Sequence, residues 1–147
     1  MFALLVSGCA KQSENNNIHI GTGGTGGTYF AYGNALKEVA EQESDIEMSI
    51  QMSAGSAANL RLLENNIVGM AIVQNDTLTD AYNGKGEFEG NPLKITKAVA
   101  GLYTESYQVV VNKKLKLNSV EDLTGLRVSV GEEGSSVLKN AKNILRA

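Results

Sequence analysis

The chain has 147 residues, 42% hydrophobic and 20% charged, with one proline and a formal charge of −3. That is about one domain with enough apolar material for a core, and it excludes both an intrinsically disordered chain and a basic nucleic-acid binder. One cysteine excludes an intrachain disulfide or a multi-cysteine zinc site, and the lone His19 supplies too few imidazoles for a histidine-based metal centre. Glycine is in excess, at 16 residues, about 11% against an average near 7%.

The first eleven residues, MFALLVSGCAK, run from an apolar stretch, Phe2 to Val6, through small Ser7 and Gly8 to Cys9. That order matches the end of a secretory signal, and the stretch is too short to span a bilayer. Val6-Ser7-Gly8-Cys9 also resembles a bacterial lipobox, which implies lipidation at Cys9 and a membrane-anchored lipoprotein outside the cytoplasm. A buried or incidental thiol is the plainer alternative. The positively charged region that opens such signals is absent. Gln12 to Asn17 is polar and suited to a tether, so residues 1–17 are set apart as signal and tether.

From Ile18 on, short apolar runs alternate with helical patterns. Strands are expected at 18–20, 46–52 and 68–73, and helices at 28–41 and 57–65, the second capped by Ser56. Asp76 is expected to cap a short helix to Tyr82, followed by a glycine-bearing surface loop, Asn83 to Pro92. Further strands are expected at 98–102, 107–111 and 127–130. Ser119 to Asp122 has the spacing of a capping box for a brief helix, and a last helix is expected from Val137 to Arg146.

This alternation builds an α/β fold with a mostly parallel sheet, whose ligands bind beyond the carboxyl ends of the strands. Four loops fall there: Gly21 to Thr28, Ser53 to Ser56, Gln74 to Asp76, and Gly131 to Ser136. Those that enter helices offer unpaired N–H groups at a positive dipole end and so could hold an anion. Gly21-x-Gly23-x-x-Gly26 fits the dinucleotide fingerprint, but the strand end that should carry a ribose-binding acid carries Ser53, and Glu47 lies near that strand's start. The same stretch has the glycines of a phosphate loop with Thr28 in the hydroxyl position, yet Gly27 replaces its lysine. A turn required only for tight packing is the bland alternative, and Gly26 is expected to need unusual backbone angles. A cradle for a small carboxylate, built from N–H groups and hydroxyls, is the reading the residues favour.

Five motifs in order carry a resemblance. Ile20-Gly21-Thr22-Gly23-Gly24-Thr25-Gly26-Gly27-Thr28-Tyr29, Gly55-Ser56-x-x-Asn59-Leu60-Arg61-Leu62-Leu63, Ile72-Val73-Gln74-Asn75-Asp76, Ala81-Tyr82-Asn83-Gly84-x-Gly86 and Arg127-Val128-Ser129-Val130-Gly131 together resemble the TAXI family of solute-binding proteins of tripartite (TRAP) transporters. The resemblance implies a periplasmic protein of the type II binding-protein fold. Its two α/β lobes close on an organic acid or amino acid, glutamate above all, and pass it to a membrane permease. It implies a first lobe with hinge strand over 18–111 and the start of a second over 112–147, the second incomplete because the family's chains are about twice as long. Carried over residue by residue, the site is Gly23, Gly24, Thr25, Gly26, Gly27, Thr28 and Tyr29 on one wall, with Ser53, Ser56 and Gln74, closed by Ser135 and Ser136. Tyr29 could equally pack on the sheet, Ser56 could be only a cap and Gln74 only a strand-end polar group. Glu132 and Glu133 depart from the pattern, since like charge opposes a bound carboxylate. Either they face solvent or the ligand carries an amine.

No catalytic constellation assembles, His19 falls within the first strand, and no cofactor is implied, so binding without chemistry leads. Lys113, Lys114 and Lys116 form a basic cluster near the hinge, read as a solvated strand end or a permease contact. An enzyme holding a phosphate-bearing cofactor in the glycine loop, and the ligand-binding lobe of a sensor, remain the alternatives.

Overall fold

The computed structural model describes residues 16–146, so the signal and lipobox reading at Cys9 lies outside the described residues. Three parallel strands form an open sheet in the order β2-β1-β3: β1 (Asn17–Gly21), β2 (Glu47–Gln51) and β3 (Met70–Ala71). Ile20 of β1 lies opposite Ile50 on one side and Met70 on the other. The parallel pairing demands crossovers, and two helices supply them: α1 (Thr28–Glu43) between β1 and β2, and α2 (Ser56–Glu64) between β2 and β3.

The pleat sorts side chains by twos. Ile18, Ile20, Ile46, Met48, Ile50, Met70 and Ile72 cluster with Tyr29, Leu36 and Ala40 of α1, which covers that face. On the other face Gly21 has no side chain, and one there would meet Asn59 Oδ1 at 2.7 Å, so its absence lets α2 come in close. A second core follows from α2 and α3 (Asn75–Asn83): Ala57, Leu60 and Ala81 are joined by Phe88 and Leu93 from the segment after α3. The expected loop 83–92 therefore contributes to the core, through a 3₁₀ turn at Gly86–Phe88 that buries Phe88. Gly84, in the left-handed region at φ 63°, ends α3.

The fold is thus α/β with a parallel sheet, as expected, but the expected third strand is shorter than 68–73. Only Met70–Ala71 is laddered, extended by Gly69 N–H donating to His19 O and Ile72 N–H to Gly21 O. The expected strands at 98–102, 107–111 and 127–130 do not form. A strand exists only through a partner, and these segments find none among the described residues. Val99 and Val110 stand 85% and 88% exposed in consequence. The capping-box helix is a 3₁₀ turn, Glu121–Leu123, in which Asp122 Oδ2 accepts from the N–H groups of Asn118 and Ser119. The lysine cluster is likewise an exposed 3₁₀ turn, Lys113–Leu115, rather than a strand end. The last helix, α4 (Ser136–Ile144), stops short of Arg146.

Candidate functional site

The glycine loop leaves β1 with its backbone tied down at its start and free beyond. Thr22 is fully buried, its N–H donating to Gln51 O at 2.8 Å. Gly27 N–H then donates to Gly24 O at 2.9 Å, closing a tight turn just before α1. A side chain at Gly24 or Gly26 would meet nothing within 4 Å, and neither residue has a left-handed φ. The expectation that Gly26 needs unusual backbone angles is therefore corrected: it is glycine where neither packing nor backbone requires it. No side chain caps α1, so its first-turn N–H groups face outward beside the exposed Thr25 and Thr28.

The other loops at the strand ends are occupied. Ser56 does not cap α2. The cap is Gly55, at φ 130° and ψ −150°, and Ser56 is the first helical residue. Fully buried, its hydroxyl accepts from Gln74 N–H at 2.9 Å and lies 3.2 Å from Tyr29 Oη. The α2 N-terminus is filled from far along the chain, Ala57 and Ala58 N–H both donating to Gly134 O at 3.2 and 3.3 Å. In α3, Asp76 sits inside the first turn rather than before it, and its Oδ1 accepts from Thr77 N–H at 2.8 Å. Ser135 caps α4, accepting from Leu138 N–H at 3.1 Å while donating to Glu132 O at 2.6 Å. Among the described residues the N-termini of α1 and α3 have neither a side-chain cap nor a backbone carbonyl from another segment seated on them. In α3, however, the Asp76 carboxylate already takes Thr77 N–H and places a negative charge in the first turn, so that of α1 is the one left open to an anion.

Asn59, present in the second motif but not singled out as a site residue, organises the cluster. Its fully buried amide donates to Thr22 O and Ile72 O, both at 2.8 Å, and its Oδ1 accepts from Ser53 Oγ at 2.7 Å. One side chain thereby holds the exits of β1, β2 and β3 together. Ser53 Oγ also accepts from Gly55 N–H at 3.0 Å, so the hydroxyl expected to reach a ligand shapes its own loop. Gln74 links both halves: Oε1 accepts from Asn140 Nδ2 at 3.2 Å and Nε2 donates to Glu105. Ser136 Oγ lies 3.3 Å from Thr77 Oγ1, and Lys139 pairs with Asp76 at 2.8 Å and Asp80 at 2.6 Å. The structure thus brings Tyr29, Ser53, Ser56, Gln74, Ser135 and Ser136 to one cluster beside the glycine loop. Glu132 and Glu133 are exposed, the first of their two alternatives.

Tyr29 is half-buried and meets both of its alternatives, packing against the sheet core while its hydroxyl reaches Ser56. Burial pushes its phenol up to about 12 against the Ser56 hydrogen bond, with Glu105 and Asp76 adding to the rise. Burial likewise raises Tyr103, whose hydroxyl donates to Glu105 Oε1 at 3.1 Å, and Tyr107. Lys139 is raised: burial opposes its charge, but the carboxylates of Asp76 and Asp80 outweigh it. Glu105 lies in a segment read as the approach to a hinge strand, and no local motif marks it. His19, exposed on β1, pairs with Ser49 through Nδ1 at 2.8 Å, away from these loops. A hollow of about 700 Å³ is an open depression between Lys37, Glu41 and the start of β2, at the amino ends of the strands. Among the described residues no helix is long and apolar enough to cross a membrane, and no group of three or more His, Cys, Asp or Glu could hold a metal ion.

The NMT1-like family matches residues 20–147, from the end of β1 through the glycine loop and all four helices. This family is related to the periplasmic binding proteins, which points to a solute-binding protein outside the cytoplasm, working with a membrane permease, rather than to an enzyme. With most of its length matched, the chain belongs to the NMT1-like family.

Proposed function

We propose that the chain is a TAXI-type solute-binding protein of a TRAP transporter, which takes a small carboxylate or amino acid such as glutamate and delivers it to the permease. The observation that carries this reading is the contrast among glycines. Gly21 and Gly33 are demanded by close packing, a side chain at Gly33 meeting Thr22 Cγ2 at 2.5 Å, whereas Gly24 and Gly26 border open space. Glycines that the fold does not need leave backbone N–H groups approachable, and the uncapped α1 dipole favours an anion there. A carboxylate fits that opening, with the hydroxyls of Thr25 and Thr28 beside it. Gly27 in place of a lysine disfavours a nucleotide phosphate.

In this reading Gly23 to Thr28 with Tyr29 receive the ligand, Ser53 and Ser56 hold the wall, and Gln74, Ser135 and Ser136 close it. Residues 18–111 serve as the first lobe and 112–147 as part of the second, with Cys9 the lipidated anchor. Cys9→Ser is then expected to abolish membrane association, since acyl chains contribute about 0.8 kcal/mol per buried methylene. Continued fractionation with membranes sinks the anchor. The ligand reading is tested by a thermal-shift panel of glutamate, glutamine, 2-oxoglutarate, succinate, ATP and NAD. A carboxylate or amino acid at 100 times its dissociation constant should stabilise by about 2.7 kcal/mol. Stabilisation by ATP or NAD alone would favour the cofactor-binding enzyme instead.

A further inference from the structure

Five carboxylates lie on or beside the loops at the strand ends, and their partners differ. Asp76 and Asp80 share Lys139. Glu132 and Glu133 are exposed, and the loop uses only the Glu132 main-chain carbonyl. Glu105 alone is held in place by neutral donors, the Tyr103 hydroxyl on Oε1 and the Gln74 amide on Oε2, with no cation against it among the described ion pairs. Two hydrogen bonds fix its direction and leave its charge uncompensated.

Its surroundings are aromatic. Tyr103 stacks on Tyr32 with ring centroids 4.7 Å apart and planes 20° from parallel, which fixes the ring that holds Glu105. The Glu105 charge also contributes to the raised phenols of Tyr29, Tyr103 and Tyr107, so all three lie within its field. Tyr29 belongs to the first turn of α1, directly after the glycine loop, and Gln74 is joined to Ser56 through its backbone. The acid is therefore linked to the first turn of α1 through Gln74, Ser56 and Tyr29, and its charge reaches the Tyr29 phenol that borders the proposed carboxylate cradle. An oriented carboxylate bordered by tyrosines suits an ammonium group, through ion pairing and the negative ring faces. A ligand bearing only carboxylates would meet like charge there.

We propose that Glu105, positioned by Gln74 and Tyr103, seats the ammonium group of an α-amino acid whose carboxylate lies in the glycine loop. This rests on the carboxylate reading above and adds the selection of amino acids over plain organic acids.

Calorimetric titration of the unaltered protein and Glu105→Gln with L-glutamate and with glutarate, the same carbon chain without the amine, tests it. The unaltered protein should prefer glutamate at least tenfold. Glu105 is exposed, so Glu105→Gln is expected to keep the fold, checked by circular dichroism, and to bring the preference to near one by weakening glutamate and strengthening glutarate. Glu105→Asp, which keeps the charge, should retain part of the preference. Equal binding of the two ligands by the unaltered protein, or a preference that survives in Glu105→Gln, overturns the ammonium seat and leaves the carboxylate cradle standing. Binding of neither ligand by the unaltered protein overturns the cradle and the seat together.

Discussion

The loops that follow β1 and β2 are both glycine-bearing, both lie at carboxyl ends of parallel strands and both lead into a helix with no side-chain cap. They differ in what has become of their donors. At α2 the first N–H groups are spent on Gly134 O, and Gly55 is held at φ 130°, which strains any side chain, in contact with Ser135. At α1 no cap and no remote carbonyl among the described residues is seated on the helix end, and Gly24 and Gly26 before it border open space. Glycine content therefore does not say which loop can accept a ligand. Following each N–H group to its partner does.

The closed side of this comparison is broken most severely at Asn59. Asn59→Ala strands the Ile72 carbonyl in a buried setting and takes one bond each from Thr22 O and Ser53 Oγ, which keep each other at 2.8 Å. At about 1–3 kcal/mol for the unsatisfied group and about 1 kcal/mol for each further bond lost, softened by relaxation, about 3 kcal/mol of stability should go. Chemical denaturation reads this directly, and a loss within about 0.5 kcal/mol would mean that the three strand exits are not held as described. Ser135→Ala comes next. It removes the α4 cap and the bond to Glu132 O that shapes the loop presenting Gly134, for a loss of about 1 kcal/mol. Amide exchange should quicken at Ala57 and Ala58, which a cap acting on α4 alone would leave unchanged.

The smallest effect concerns the ion pairs that fasten α4 to α3. Lys139 is raised in the folded protein, so its contribution is fully present below the unfolded lysine value of about 10.4 and is lost as pH climbs through the higher folded value. Partly exposed pairs of this kind contribute roughly 0.5–1 kcal/mol. Lys139→Met should therefore lower stability by that much at pH 7 and flatten its decline above about pH 10.4. An unchanged alkaline limb would show that Asp76 and Asp80 do not hold the helix.

Much of the fold was legible because periodicity and loop chemistry agree over residues 18–83. Ile18, Ile20, Met48 and Ile50 share a face in sequence and in space, and α1 and α3 follow the expected segments within a residue or two. Legibility fails where a residue's state depends on a distant partner. The valines at 109–111 have strong strand propensity but no strand beside them. Ser56 has the chemistry of a cap, yet Gly55 can adopt φ 130° and takes that place, freeing Ser56 to reach Gln74 and Tyr29. The Gly134 carbonyl on α2 and the Glu105 carboxylate on Gln74 are contacts between remote segments that no local pattern announces. For the proposed site, residue types at the strand ends were readable. Which of them have hydrogen-bonding groups to spare was not.

The open loop is the central claim, and Gly26→Val tests it most directly because the structure separates binding from folding there. With open space around the residue and no left-handed φ, valine should leave unfolding within about 0.5 kcal/mol of the unaltered protein. It should nonetheless crowd the N–H groups of the α1 end. Parallel calorimetric titrations with L-glutamate should show binding to the unaltered protein and at least tenfold weaker binding to Gly26→Val, about 1.4 kcal/mol. Equal affinity in the two proteins, with the fold intact in both, would place the carboxylate elsewhere and contradict the account.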